Sequence, residues 1–136
     1  MSASTDTGAN ERYKGTWGLY PWFAEDGEAW IDPADLPRFQ ALIPYGKLFQ
    51  CIEDGEYLTL RYGSDAFRVK PGLYKPVSAA PAFGFGSEVT VKSKPELRGR
   101  IAGIEWHFKN EAPFYYIEAN GKRKSTRYAE SDLAPA

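Results

Sequence analysis

From residue 46 onward, apolar and polar side chains alternate with a period of two, in short runs that turn-forming residues separate. This period is typical of β-strands that bury one face and expose the other. We therefore expect strands over residues 48–52, 57–62, 66–70, 88–92, 100–108, 114–118 and 124–128.

Turn signals join these runs into hairpins. Asp54-Gly55 and Asn120-Gly121 predict tight two-residue turns, because both pairs accept positive φ angles. Within residues 100–108 the alternation slips by one position, which predicts a β-bulge at residues 102–103. The chain also holds 13 glycines, 10 prolines and 15% aromatic residues, which favours a barrel or sandwich of short strands over a helical bundle.

One short helix is predicted ahead of the strands. Asp32 is a suitable N-cap and Pro33 a suitable first helical residue, and Asp35 would lie in the first turn. Apolar residues recur at helical spacing and predict one buried stripe, formed by Leu36, Phe39, Leu42 and Ile43. Pro37 leaves an alternative open, in which a first tight turn is separate from a helix over residues 37–43.

The chain divides into three parts at the level of composition. Residues 1–12 offer little to bury, so we expect a disordered tail. Residues 13–80 would hold an aromatic N-terminal segment, the short helix and a first small β-barrel, and residues 81–136 a second barrel. The stretches 68–74 and 127–133 form a weak internal echo, since each leads from a basic residue into a terminal turn.

Short motifs carry a resemblance to known folds. Glycine and branched apolar residues recur as Gly86-x-x-Val89-x-Val91 and then as Gly99-x-Ile101-x-x-Ile104. This pattern resembles the strand–turn–strand opening of Src-homology-3-like (SH3-like) barrels of the KOW and Tudor kind. The resemblance implies an SH3-like barrel for the C-terminal part of the chain, and it implies no particular activity. Together with the internal echo and the predicted helix, it leads us to expect a mainly β fold with two small SH3-like barrels in tandem and one short N-terminal helix.

A second resemblance covers residues 13–133. The phrases that carry it are Gly-Leu-Tyr-Pro-Trp at 18–22, Pro-Tyr-Gly-Lys at 44–47 and Gly-Lys-x-x-Ser-x-Arg-Tyr at 121–128. On these phrases the chain is similar to an uncharacterised family of small bacterial proteins, which brings no known activity with it.

The sequence offers few groups for catalysis. Its one histidine, His107, is expected on the face of its strand opposite the neighbouring aromatics, and its one cysteine, Cys51, is expected to be a small buried residue. No nucleophile motif accompanies them, and the acids of residues 25–35 lack the spacing of a calcium loop. We therefore expect a protein that is not an enzyme and that uses no metal and no cofactor.

The first candidate binding surface is the aromatic and acidic segment near the N-terminus. Its aromatic residues could anchor a protein partner and its carboxylates could attract a basic one. The residues predicted to bind are Trp17, Trp22, Glu25, Asp26, Glu28 and Trp30. The alternative for the aromatic residues is that they cover the open end of a barrel core.

The second candidate surface is the basic hairpin near the C-terminus. Its cations could neutralise phosphates and a tyrosine could stack on a base. The residues of this nucleic-acid hypothesis are Lys122, Arg123, Lys124, Arg127 and Tyr115. The alternative is that the hairpin is charged because it is solvated and must avoid edge-to-edge pairing.

Charge and composition favour a protein partner. Residues 1–60 carry 4 basic and 10 acidic side chains, so this part would attract a basic partner. The polar N-terminus predicts no secretory signal, and no apolar run reaches the ~20 residues that span a bilayer, so we expect a cytoplasmic protein without a membrane partner.

The expected function is that of a non-enzymatic protein-interaction module, with a toxin-neutralising immunity protein as its concrete form. A nucleic-acid-binding SH3-like module that acts through the basic hairpin is the alternative.

Overall fold

Eleven antiparallel strands, one α-helix and four single-turn 3-10 helices make up the regular structure of residues 12–136, which this computed structural model describes. These residues divide into two units, the first ending at Ser78 and the second beginning at Ala79. The predicted disordered tail, residues 1–12, lies outside the described residues except for Arg12. None of the helices within residues 12–136 is long and apolar enough to cross a bilayer.

The first unit contains a five-stranded antiparallel sheet. Its strands are β1 (Trp17–Leu19), β2 (Phe49–Asp54), β3 (Leu58–Tyr62), β4 (Asp65–Val69) and β5 (Lys75–Pro76). Their order across the sheet is β4-β3-β2-β1-β5. The period of two thus correctly predicted β2, β3 and β4, because these strands alternate between buried and exposed side chains.

The core of the first unit is aromatic and centres on Phe39. The Phe39 side chain is fully buried, and its ring centroid lies between 5.1 and 5.9 Å from those of four other aromatic rings, Tyr20, Trp22, Phe49 and Phe67. Edge-to-face and tilted ring pairs at this distance are favourable beyond the area that they bury. Phe39 therefore fixes the helix to the sheet.

The helix, α1 (Leu36–Leu42), begins later than an Asp32 cap would place it. Residues 33–35 form a separate turn, in which the Asp32 carboxylate accepts the N–H of Ala34 at 3.0 Å. Pro37 then lies in the first turn of α1, where its missing N–H costs nothing. The alternative of a tight turn followed by a separate helix is therefore right, and the helix capped by Asp32 is wrong.

The turn after β2 is not the predicted tight one. Residues 55–57 connect β2 to β3, and Gly55 does not adopt a positive φ. The carboxylate of Asp54 instead accepts the backbone N–H of Tyr13 at 2.8 Å. Asp54 therefore holds a distant part of the chain against the sheet.

The second unit contains a six-stranded antiparallel sheet. Its strands are β6 (Glu88–Val91), β7 (Lys94–His107), β8 (Ala112–Ala119), β9 (Lys122–Arg123), β10 (Tyr128–Ala129) and β11 (Leu133–Pro135). The order is β10-β8-β7-β6-β11, and β9 also pairs with β8. The predicted bulge is confirmed, because the register between β7 and β8 shifts between Ile101 and Gly103.

The hairpin between β8 and β9 has the predicted two-residue turn. Asn120 and Gly121 adopt φ angles of 56° and 76°, as a type I′ turn requires. The strand predicted over residues 124–128 is wrong. The strand pairing ends at Arg123, the Lys124 N–H still donates to the Ile117 carbonyl at 2.8 Å, and pairing with β8 resumes at Tyr128. Residues 124–127 contain no apolar side chain that could face the core, so they leave the sheet.

The two units share a pattern of strand pairing. In each unit, the last strand along the chain pairs with the first, and a single turn of 3-10 helix leads into that last strand. These turns are Pro71–Leu73 and Glu130–Asp132, which lie within the two stretches of the predicted internal echo. The described residues thus form a mainly β structure with two sheets and one α-helix. Neither of these sheets closes on itself within the described residues.

Candidate functional site

The predicted tryptophans take different positions in the first unit. Trp22 is only 3% exposed, and its indole N–H donates to the carbonyl of Gly27 at 2.9 Å. Trp17 and Trp30 are half-buried, and the Trp30 ring lies so close to Gly72 that a Cβ there would come within 2.7 Å of it. Trp22 therefore belongs to the core.

The predicted acidic residues are exposed. Glu25 and Asp26 lie in a 3-10 turn, Ala24–Asp26, and Glu28 begins the next turn, Glu28–Trp30. The Asp26 carboxylate accepts the backbone N–H of Phe23 at 2.8 Å, which holds this turn in place. The carboxylates of this turn therefore lie close to Phe23 in space as well as in sequence.

Three large apolar side chains lie exposed next to this turn, and we call them the apolar patch: Phe23, Ile43 and Tyr45. They are 50%, 67% and 48% exposed, respectively. Phe23 and Tyr45 are in ring contact, with centroids 5.2 Å apart. The patch lines a groove of about 230 Å³ together with Trp22, Ala24, Gln40 and Pro44.

Sequence reasoning missed Ile43 and Tyr45. Helical spacing predicted that Ile43 belongs to the buried stripe, but α1 ends at Leu42. Ile43 then adopts a left-handed conformation, with φ 57° and ψ 80°, which turns its side chain out of the stripe. A β-branched residue rarely adopts this conformation, so no sequence pattern indicated it.

The basic hairpin residues of the nucleic-acid hypothesis are mostly exposed, but two of them lie on aromatic rings. The Arg123 guanidinium lies 4.9 Å from the centroid of the Tyr116 ring, and that of Arg127 lies 5.4 Å from the Phe114 ring. Such cation–π contacts are favourable. The first contact also places a cation of the chain itself on the half-buried Tyr116 ring, whereas Phe114 is buried.

Tyr115 does not lie on this surface, which corrects its assignment to the nucleic-acid site. Its ring is fully buried in the second unit, and Phe114 before it on β8 is buried as well. Its hydroxyl accepts the N–H of Ala82 at 3.0 Å and donates to the Glu130 carboxylate at 3.2 Å. Burial raises the pKa of Tyr115 to about 12, and the nearby Glu130 charge also raises it.

His107 and Cys51 have local structural roles. The Nδ1 atom of His107 accepts the N–H of Asn110 at 3.1 Å, which holds the turn after β7. Cys51 is buried, its Sγ lies 3.3 Å from the carbonyl oxygen of Glu53, and burial raises its pKa to about 11. Such a thiol is a poor nucleophile. Within residues 12–136 no group of three His, Cys, Asp or Glu side chains is arranged to hold a metal ion.

The comparisons with known proteins place the chain in a family. No protein with a curated description matches it, and no solved structure matches it. One family profile covers residues 10–134, which is nearly the whole chain. The chain therefore belongs to DUF6960, a family of unknown function.

Proposed function

We propose that this protein is a non-enzymatic protein-interaction module and that its partner docks on the apolar patch. One observation carries this proposal: Phe23, Ile43 and Tyr45 are all large, apolar and exposed, and they line one groove. Single exposed apolar residues are ordinary, whereas a contiguous exposed cluster with a polar rim is typical of an interaction site.

The charge beside the patch favours a basic partner. Glu25, Asp26 and Glu28 are exposed on the two turns that follow Phe23. Complementary charge speeds association and selects among partners more than it adds affinity. A toxin-neutralising immunity protein is the concrete form of this function that we propose, because a small non-catalytic protein with an acidic rim suits a basic toxin.

A comparative pull-down from a lysate of the native host tests this proposal. The bait proteins are the wild type, the double variant Phe23→Ser/Tyr45→Ser and the control variant Phe108→Ser. Phe108 is a suitable control because it is 50% exposed, as Phe23 is, but belongs to the second unit. We expect the wild type and the control to retain the same protein, and the double variant to lose it.

Two other outcomes would contradict the proposal. If the double variant retains every protein that the wild type retains, the apolar patch is not the docking surface. If the Phe108→Ser control loses the partner instead, the interaction site lies on the second unit. Circular dichroism of each bait shows that the loss of binding does not reflect unfolding.

Nucleic-acid binding through the basic hairpin is the second candidate function. The exposure of Lys122, Arg123 and Arg127 on one hairpin and the loop beyond it favours this candidate. It predicts that affinity for an oligonucleotide falls steeply with salt, by about one counterion for each phosphate contact. Binding that does not change with salt, or that survives alanine at Lys122, Arg123, Lys124 and Arg127, would remove this candidate.

We also propose that each unit is an SH3-like barrel and that the protein is bacterial and cytoplasmic. The strand pairing that the two units share, with a 3-10 turn before the last strand, supports the barrel proposal. Fractionation of the native host, followed by immunoblotting, tests the location.

A further inference from the structure

Ile43 carries two features that are unfavourable for folding. Its φ of 57° puts a β-branched side chain into the left-handed region, where contacts between Cβ and the following carbonyl oxygen are unfavourable. Its side chain is also 67% exposed, the largest exposed fraction among the patch residues. Packing of the isoleucine side chain therefore offsets little of the energetic cost of its strained backbone.

The backbone conformation itself is ordinary for this position. Ile43 follows the last residue of α1, and its N–H donates to the carbonyl of Gln40 at 3.2 Å. Glycine or asparagine is usual where a helix ends in a left-handed residue. The helix end thus needs the conformation, but it does not need an isoleucine.

The surroundings of Ile43 hold it in place. Lys47 donates its ammonium to the Ile43 carbonyl at 3.1 Å, and Pro44 follows at once in sequence. Pro44 is buried and also lines the groove beside Phe23 and Tyr45. Strained residues of this kind persist where the surrounding structure fixes them, and they are frequent at binding sites.

We propose that Ile43 is the specificity-determining anchor of the apolar patch, and that the partner is a basic segment that inserts one apolar side chain beside it. This inference rests on the proposed function. The groove of about 230 Å³ is large enough for one such side chain. Cations of the segment would pair with Glu25, Asp26 and Glu28, while Lys47 is already engaged by the Ile43 carbonyl.

The first test measures stability and needs no partner. Thermal unfolding is followed for the wild type and for Ile43→Gly, Ile43→Asn and Ile43→Val. Because glycine and asparagine tolerate a positive φ, we expect Ile43→Gly and Ile43→Asn to raise Tm by about 3–8 °C. Ile43→Val keeps the β-branched side chain and is expected to leave Tm nearly unchanged. A lower Tm for both Ile43→Gly and Ile43→Asn would overturn the strain argument.

The second test measures binding of a defined probe. The probe is the basic peptide acetyl-Gly-Lys-Trp-Lys-Lys-Gly-amide, titrated into the ¹⁵N-labelled full chain and followed by amide chemical shifts. Two control peptides replace either the three lysines by glutamate or the tryptophan by alanine. We expect saturable shifts in residues 23–28 and 40–45 with the basic probe alone.

The variants then separate the two proposals. We expect Ile43→Gly to bind the probe about tenfold more weakly than the wild type does, although this variant is more stable. The affinity of Ile43→Val should stay close to that of the wild type. Full affinity in Ile43→Gly, with loss in Phe23→Ser/Tyr45→Ser, would overturn the role of Ile43 and leave the docking surface intact. Unchanged binding in the double variant would overturn both the docking surface and the role of Ile43. Equal shifts with the acidic peptide, or no shifts with the basic one, would overturn the proposal that the partner is basic.

Discussion

The aromatic rings of Phe23 and Tyr45 lie with their centroids 5.2 Å apart, although about half of each side chain is exposed. Phe23 and Tyr45 are distant in sequence. They meet because α1 and the turn after it bring Tyr45 back to the 3-10 turn that follows Phe23. The pair is therefore a fixed part of the surface, and a partner would find it already arranged. Preorganisation of this kind lowers the entropic cost of binding.

The first prediction contrasts an exposed ring with a buried one in the same unit. Phe39→Ala removes a fully buried ring that packs on four other rings, so we expect a loss of about 3–5 kcal/mol in the free energy of unfolding. Phe23→Ala removes a half-exposed ring and should cost about 1 kcal/mol or less. Urea unfolding of both variants measures the difference. Equal losses would mean that Phe23 is a packing residue rather than a binding one.

The second prediction concerns the close approach of β1 to Tyr74. A Cβ at Gly18 would lie 2.6 Å from the Tyr74 ring and 2.7 Å from the carbonyl oxygen of Lys75. The Tyr74 hydroxyl is held at 2.8 Å from the Thr16 hydroxyl, so the ring cannot easily move away. We therefore expect Gly18→Ala to destabilise the first unit by about 1–3 kcal/mol.

Gly55→Ala is the matched control for that variant. The nearest atom to a Cβ at Gly55 is 3.9 Å away, and Gly55 has no positive φ. Its free energy of unfolding should stay within about 0.5 kcal/mol of the wild type. A Gly18→Ala protein as stable as Gly55→Ala would show that β1 and Tyr74 do not approach so closely.

The third prediction concerns alkaline pH. Burial raises the pKa of Tyr115 from 10.0 to about 12, so between these values the unfolded chain ionises at Tyr115 while the folded chain does not. The unfolded state then binds fewer protons, and the free energy of unfolding falls as pH rises from 10.0 to about 12. Burial also raises the pKa of Tyr20 and of Tyr74, which deepens the fall.

Tyr115→Phe checks this assignment. It loses the hydrogen bonds to Ala82 and Glu130, so it should be less stable at neutral pH by about 1 kcal/mol. Between pH 10.0 and about 12 its stability should fall less steeply than that of the wild type, because one titrating group is gone. A parallel fall in the two proteins, measured by urea unfolding at each pH, would show that Tyr115 does not contribute.

The fourth prediction concerns the thiol. Cys51 is fully buried and burial raises its pKa to about 11, so near neutral pH it is protonated and shielded. We expect no reaction with 5,5′-dithiobis(2-nitrobenzoic acid) in the native protein. In about 6 M guanidinium, which unfolds even very stable domains, we expect a rapid reaction. A fast reaction in the native state would mean that the β2 region opens readily.

The strands could be predicted from the sequence because their signals are local. Alternation along β3 and the Asn120-Gly121 pair both depend only on neighbouring residues. The role of Asp54 could not be predicted in the same way. Its carboxylate binds the N–H of Tyr13, 41 residues away, and no local pattern indicates a contact over that separation.

The candidate site was harder to predict than the fold. The acidic turn at residues 24–26 was identified from composition, but Ile43 was expected to be buried. The error has one cause, since the helical period was extended one residue beyond the end of α1. Tyr115 was misplaced because it lies near the basic hairpin in sequence, whereas its side chain is fully buried on β8.

The most direct test of the central claim is the affinity of a purified partner for three proteins: the wild type, Phe23→Ser/Tyr45→Ser and Phe108→Ser. Isothermal titration calorimetry would supply each Kd at low and at high salt. If the apolar patch is the docking surface, the double variant binds at least about tenfold more weakly, the Phe108→Ser control binds as the wild type does, and salt weakens binding modestly. An unchanged Kd for the double variant would contradict the account.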